Sequence, residues 1–244
     1  MNTVLLNKHD HKKYLAAAPI IAASTEQVCA LSLSEIPKAA CCWPIFLSRT
    51  NADRAFDVKC LMSLTPERNL FVENSIWTAP FMPATLAVYP FVLANDGRHG
   101  YVLATRPCST TIFDDGDTLL FNELGQPSVV QKQIQYKLQG ILNETAALNE
   151  FAKMMGEMAL TKEINAVVHY SDQSKQVLES LITIDEDKLN NLSDADLVKL
   201  QRSGFLSLIH AILNSIFQLN GLILKHNQNY PNDTVQKIEL MLPE

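Results

Sequence analysis

The hydrophobic positions change period about halfway along the chain. In Phe56-Asp-Val-Lys-Cys-Leu-Met-Ser-Leu64, the residues Phe56, Val58, Cys60 and Met62 alternate with Asp57, Lys59, Leu61 and Ser63. A period of two sets one side of a strand against a core. Trp43-Pro-Ile-Phe-Leu-Ser48 reads as a second strand, and the polar stretch 49–54 between them suits a hairpin loop. Prolines then punctuate an aromatic segment over residues 66–91. Proline removes a backbone donor and turns the preceding residue away from helix, so an irregular packed loop with short extended pieces is expected there. Residues 101–106 and 110–113 read as further strands around the turn Asn95-Asp-Gly97.

The second half is mainly helical. Val130, Ile134, Leu138, Ile141 and Leu142, then Leu148, Phe151, Met154, Met155 and Met158, carry a helical period over residues 127–158. Residues 164–170 and 176–184 form a hairpin around Ser171-Asp-Gln-Ser174. Ser193-Asp-Ala-Asp196 is a capping-box variant that starts a helix, and Gly204 suits the position just past its end. The apolar run 205–224 is expected as one long helix. The polar stretch 227–232 is expected to fray, with 238–242 able to dock. Together these elements predict an α+β fold in a single domain over 1–244. It has an antiparallel sheet from the β-rich residues 1–126, with the helix-rich residues 127–230 packed on one sheet face. The hairpin 164–184 returns to the sheet.

Charge and cysteine usage narrow the function. A net charge of −6, with Lys12-Lys13 the only adjacent basic pair, argues against a nucleic-acid surface, which needs clustered cations. The five cysteines Cys29, Cys41, Cys42, Cys60 and Cys108 form no C-x-x-C pair, so a reducing, cytoplasmic setting is expected and a structural zinc site is not. Lys12-Lys13 followed by Tyr14 to Ser24 imitates a signal peptide, but Pro19 and weak Ala-rich hydrophobicity favour a mature cytoplasmic chain. The run 205–224 has the length of a membrane span. His210, Asn214, Gln218 and Asn220 within it are expensive in hydrocarbon, so a buried helix is the better reading and no membrane span is expected.

Several short motifs occur in an order that resembles the SapC family, named for a gene linked to bacterial surface-layer proteins and unrelated to saposins. They are Trp43-Pro-Ile-Phe-Leu47, Asn69-Leu-Phe-Val72, Trp77, Pro83-Ala84, Tyr89-Pro-Phe91 and Leu120-Phe-Asn-Glu-Leu-Gly-Gln-Pro127. The strongest is Ile184-Asp-Glu-Asp-Lys-Leu-Asn-Asn-Leu192, continued by Leu200, Ser203-Gly204 and on to Ser215. Each motif is weak alone; their order is specific. The resemblance implies a protein of Gram-negative bacteria, encoded beside TonB-dependent receptors, flavin-dependent halogenase-like proteins and cupin-like proteins. That context points to uptake or modification of an external nutrient or peptide and names no activity. The chain departs from the family pattern at Ala87 and Val88, where two arginines are usual, and at Ile212, where a histidine is common.

Candidate chemistry is sparse. No G-x-S-x-G, H-E-x-x-H, Walker loop or dinucleotide fingerprint is present, and no cofactor or metal is implied. Trp77, Phe81, Tyr89 and Phe91, with Arg68, can line a pocket for a carboxylate or flat ring, or simply form the core under a long loop. His210 and Asn214 lie on a helical stripe with Ser207, Gln218, Gly221 and Lys225, which reads either as a recognition seam or as a solvated helix edge. His9-Asp-His11 has chelating spacing, and Asp114-Asp-Gly-Asp117 imitates part of a calcium loop; solvated chain and a turn are the simpler readings. Asp185, Glu186 and Asp187 read as a helix start rather than a catalytic carboxylate pair. The expectation is an accessory or binding protein of a surface-layer or TonB-dependent uptake system. Its partner is a neighbouring gene product, a peptide or small molecule, or a second copy in a homo-oligomer. The rival is an enzyme acting on a peptide or small organic ligand with help from a neighbouring protein.

Overall fold

A computed structural model of the chain describes residues 3–49, 56–97 and 100–243. Its centre is a six-stranded antiparallel sheet in the order Val235–Met241, Thr161–Tyr170, Lys175–Ile184, Ile45–Arg49, Phe56–Leu61, Val28–Ala30. The alternation in Phe56–Leu61 is realised, since Phe56, Val58, Cys60 and the following Met62 are all buried. This strand pairs with Ile45–Arg49 so that Ile45 faces Cys60 and Leu47 faces Val58. Most of the loop expected at 49–54 lies outside the described residues. The later hairpin joins through Ile182 opposite Leu47, so strands from both halves of the chain share one sheet.

Both faces of this sheet are covered. Ile45 and Leu47 belong to one buried cluster, while Phe46, between them, belongs to another. Successive strand residues point to opposite faces, so the two clusters lie on opposite sides. Phe151, Met154 and Met155 of the long helix Val129–Glu157 pack into the first cluster, with Ile209 and Ile212 of helix Phe205–Ser215. Leu219 and Leu222 of helix Gln218–Asn229 pack into the second, with Phe46, Leu61, Ile164 and Val168. The α+β expectation is met. One-face packing describes the first two helices, and the last helix lies across the other face.

The chain changes face at a bend. The run 205–224, expected as one helix, is two helices meeting at 40°. Ser215, fully buried, donates its hydroxyl to the Ile212 carbonyl (2.6 Å) and accepts the Ile45 amide (2.8 Å). Back-bonding of a serine to its own helix favours a bend, and the Ile45 bond fixes that bend at the start of a sheet strand. No single helix among the described residues is long and apolar enough to cross a membrane, although the bent pair together would be. Gly204, at φ 78, makes the turn into this pair from helix Asp194–Arg202, which Ser193 caps by accepting the Asp196 amide.

A smaller sheet, Val4–Leu5, Tyr101–Thr105 and Phe91–Asn95, lies under the first half of the long helix. Phe91 and Leu103 pack there with Ile134 and Leu138. Two local expectations fail. Residues 110–113 form the start of helix Thr111–Asp114 rather than a strand. The Thr110 carbonyl accepts the Phe113 and Asp114 amides, and this short-range bonding outweighs a four-residue β-preference. The stretch 227–232 is held, not frayed. Asn227 pairs both backbone groups of Val235 (2.7 and 2.9 Å), and buried His226 bonds the Asp233 carbonyl, which swings Val235–Met241 onto the sheet edge.

Candidate functional site

One end of the large sheet carries a groove of about 510 Å³. Lys162 and Ile164 reach it from Thr161–Tyr170, and Thr183 and Ile184 from the hairpin partner. His210, Leu213 and Asn214 come from helix Phe205–Ser215, and Ile216 and Phe217 from the bend. Leu240, Met241 and Leu242 supply another wall, and Glu186 enters from the first turn of helix Glu186–Asn190. The hairpin register sets Lys162 directly opposite Thr183, so both side chains rise on one sheet face. His210 and Asn214, four residues apart, share one helix face, and the neighbouring Ser215–Ile45 bond anchors that helix to the sheet.

Most of the lining is apolar, which makes its polar groups informative. Thr183 is only 4% exposed, and its hydroxyl has no hydrogen-bond partner among the described residues. A buried hydroxyl left unpaired is destabilising, and native proteins tolerate few of them. The side chains of Lys162, Glu186, His210 and Asn214 make no hydrogen bond or ion pair with described residues, but Glu186, His210 and Asn214 are exposed and meet water. The groove thus combines an apolar body with unengaged donors and acceptors, the make-up of a small-molecule site.

The other candidate residues do not assemble into one pocket. Trp77 and Phe81 pack with Trp43 and Phe71, and the Trp77 indole donates to the Phe81 carbonyl at 2.9 Å. Arg68 stacks on Tyr230 at 4.5 Å. Phe91 is buried under the long helix against Tyr14. Tyr89 lies apart beside Arg106 and Cys108, its phenol pushed up by burial first and by Cys108 second. Of the residues singled out from sequence, His210, Asn214 and Glu186 meet in the groove. Ser207, one turn before His210 on the same helix, does not line it; Gln218 lies past the bend in the next helix, and Lys225 pairs instead with Glu73 at 2.5 Å. Val88 and Ile212, two of the departures from the family pattern, are core residues.

Elsewhere the helix start at Asp185 is realised, whereas His9-Asp-His11 is not simply solvated chain, because His11 is buried. Asp185 caps its helix by accepting the Lys188 amide. Asp117 accepts the Ala16 amide (2.8 Å) and the Thr118 hydroxyl, and these bonds hold its carboxyl below the usual range. A Cβ on Gly116 in that turn would meet the Tyr14 amide at 2.7 Å, so the turn requires glycine. His11 is buried edge-on against Phe113. No cluster of three or more metal-ligating side chains occurs among the described residues.

Thr183, Lys162 and the Leu240–Leu242 wall escape sequence reasoning. The one available signal was Thr183 interrupting the apolar run Leu181-Ile-Thr-Ile184. The residues that surround it come from four separate stretches of chain, and no local pattern reports their meeting.

No curated protein and no solved structure matches the chain. A family model described as SapC matches residues 6–222 of the 244, taking in the large sheet up to its terminal strand, the smaller sheet apart from Val4–Leu5, and the helix pair as far as Leu222. The match covers most of the chain, and the protein belongs to the SapC family.

Proposed function

We propose that this chain is a binding protein, an accessory of a bacterial surface-layer or TonB-dependent uptake system acting in the cytoplasm. Its ligand site is the groove around Thr183. The observation that carries the reading is the buried, unpaired Thr183 hydroxyl inside an apolar groove with Lys162 directly opposite it. That pairing suits a small amphipathic molecule with an apolar body and an anionic, hydrogen-bonding head. The body would lie against Ile164, Leu213 and Phe217, and the head would reach Lys162, with the enclosed Thr183 hydroxyl engaged only after its side chain turns toward the groove. His210 and Asn214 add polar contacts on one side. The placement in an uptake or surface-layer system rests on family membership and the expected gene neighbourhood, and co-purification of a neighbouring gene product from the native host tests it.

The site is tested by thermal melting of the protein with a panel of medium-chain carboxylates and acylated amino acids, repeated with Thr183→Val. A ligand at a hundred times its Kd stabilises the folded state by about 2.7 kcal/mol, a clear rise in melting temperature. Thr183→Val keeps the shape and removes the unpaired hydroxyl. The ligand-free variant is therefore expected to be more stable by about 1 kcal/mol while binding at least tenfold more weakly. If no member of the panel shifts the wild type, or if the variant binds equally well, the site assignment is wrong. Chemical conversion of a bound ligand by the purified protein would establish the enzyme reading instead.

A further inference from the structure

The terminal strand Val235–Met241 closes one edge of the six-stranded sheet, and no strand among the described residues pairs with its outer side. Such an edge is a template for further pairing, and proteins often blunt it with charge. Here the charges alternate in sign. Lys237 and Glu239 share one face, where they pair with each other and Glu239 also bonds His169 of the neighbouring strand, while Ile238 and Leu240 share the other. We infer that this edge pairs antiparallel with the same strand of a second copy, about a two-fold axis at Ile238, joining two sheets into one of twelve strands.

The register follows from symmetry and charge. In an antiparallel pair related by a two-fold axis perpendicular to the sheet, directly opposite residues share a face. The axis must then pass through a residue position. With the axis at Ile238, each Lys237 lies opposite Glu239 of the other copy, and the two pairs form a square of alternating charge. An axis at Lys237 sets lysine against lysine, and an axis at Glu239 sets glutamate against glutamate, both destabilising. An axis at Gln236 brings Asp233 against Glu239, again like charges. An axis at Leu240 brings Pro243, which has no amide hydrogen, opposite Lys237. Of these, only the Ile238 register is complementary in charge and fully able to pair.

The apolar side chains agree with this register. Ile238 meets its own copy on the axis, and Leu240, 41% exposed, meets Gln236 of the second copy. Met241 (51% exposed), Leu242 (70%) and Phe217 (71%) form an uncovered apolar rim continuous with the strand end. One seven-residue strand with this rim makes an interface smaller than the roughly 1,600 Å² of a typical stable complex, so a dimer dissociating in the micromolar range is expected. This inference does not depend on a ligand in the groove.

Sedimentation velocity over roughly 1–200 μM, at low and high salt, tests it with reversed charges. Lys237→Glu alone, or Glu239→Lys alone, sets two like-charge pairs across the axis and should weaken the dimer at least tenfold. Circular dichroism checks that each variant is folded. The double variant Lys237→Glu/Glu239→Lys should regain wild-type affinity to within a few-fold. Mixing the two single variants should produce a heterodimer more stable than either homodimer, because every opposed pair is then of unlike charge. A wild type that stays monomeric throughout the range overturns the inference. So does a dimer indifferent to single reversal, or a mixture of single variants that fails to associate.

Discussion

Ser215 shows how much one side chain can decide. Its hydroxyl serves the Ile212 carbonyl and the Ile45 amide at once, inside a region closed to water. Ser215→Ala should leave the Ile45 amide buried without a partner and cost about 1–3 kcal/mol, read as a lower urea midpoint at unchanged slope. Thr183 is the opposite case, a buried hydroxyl that serves no group among the described residues. The two residues look alike in sequence, small hydroxylated side chains in apolar runs. What separates them is whether folding brings up a backbone amide, which for Ser215 comes from 170 residues away. Local pattern therefore recovered His210 and Asn214 through their helical spacing, and it could not rank Thr183 above its apolar neighbours.

Among the elements, those governed by short-range chemistry were the most legible. The long helix begins after Ser128, which accepts the Gln131 amide at 3.1 Å, and the caps at Asp185 and Ser193 were readable as acidic or hydroxylated starts. The terminal strand was legible only as an apolar tail able to dock. Its outward charges give it a pH dependence. The Glu239 carboxyl is held below its usual range, first by Lys237 and also by His169. A carboxylate with a depressed folded pKa contributes stability above its ordinary pKa, and that contribution disappears as pH falls through the depressed value. The melting-temperature difference between wild type and Glu239→Gln should therefore be present at pH 7 and shrink progressively as pH falls below the ordinary carboxylate range, measured on dilute protein. A difference that persists unchanged at low pH would show that the carboxylate charge is not its source.

Across the molecule, the bend at Ser215 lets one continuous apolar run serve both faces of a sheet. Leu222, 1% exposed, belongs to the cluster opposite the one that holds Ile212. Leu222→Ala should create a cavity and cost about 2–5 kcal/mol in chemical denaturation. Amide exchange should accelerate most in Val235–Met241, because the helix that carries Asn227 and His226 holds the approach to that strand. Alternation, capping and motif order act over a few residues, so the class of fold, the hairpins, the helix starts and the family could be read from the chain alone. The bend, the covering of the second face, the dispersal of Arg68, Trp77, Phe81, Tyr89 and Phe91, and the groove itself arose only on folding. Each of these depends on which distant side chains meet across the sheet. A hydroxyl becomes a cap, a bend or a waiting contact according to partners that no local pattern encodes.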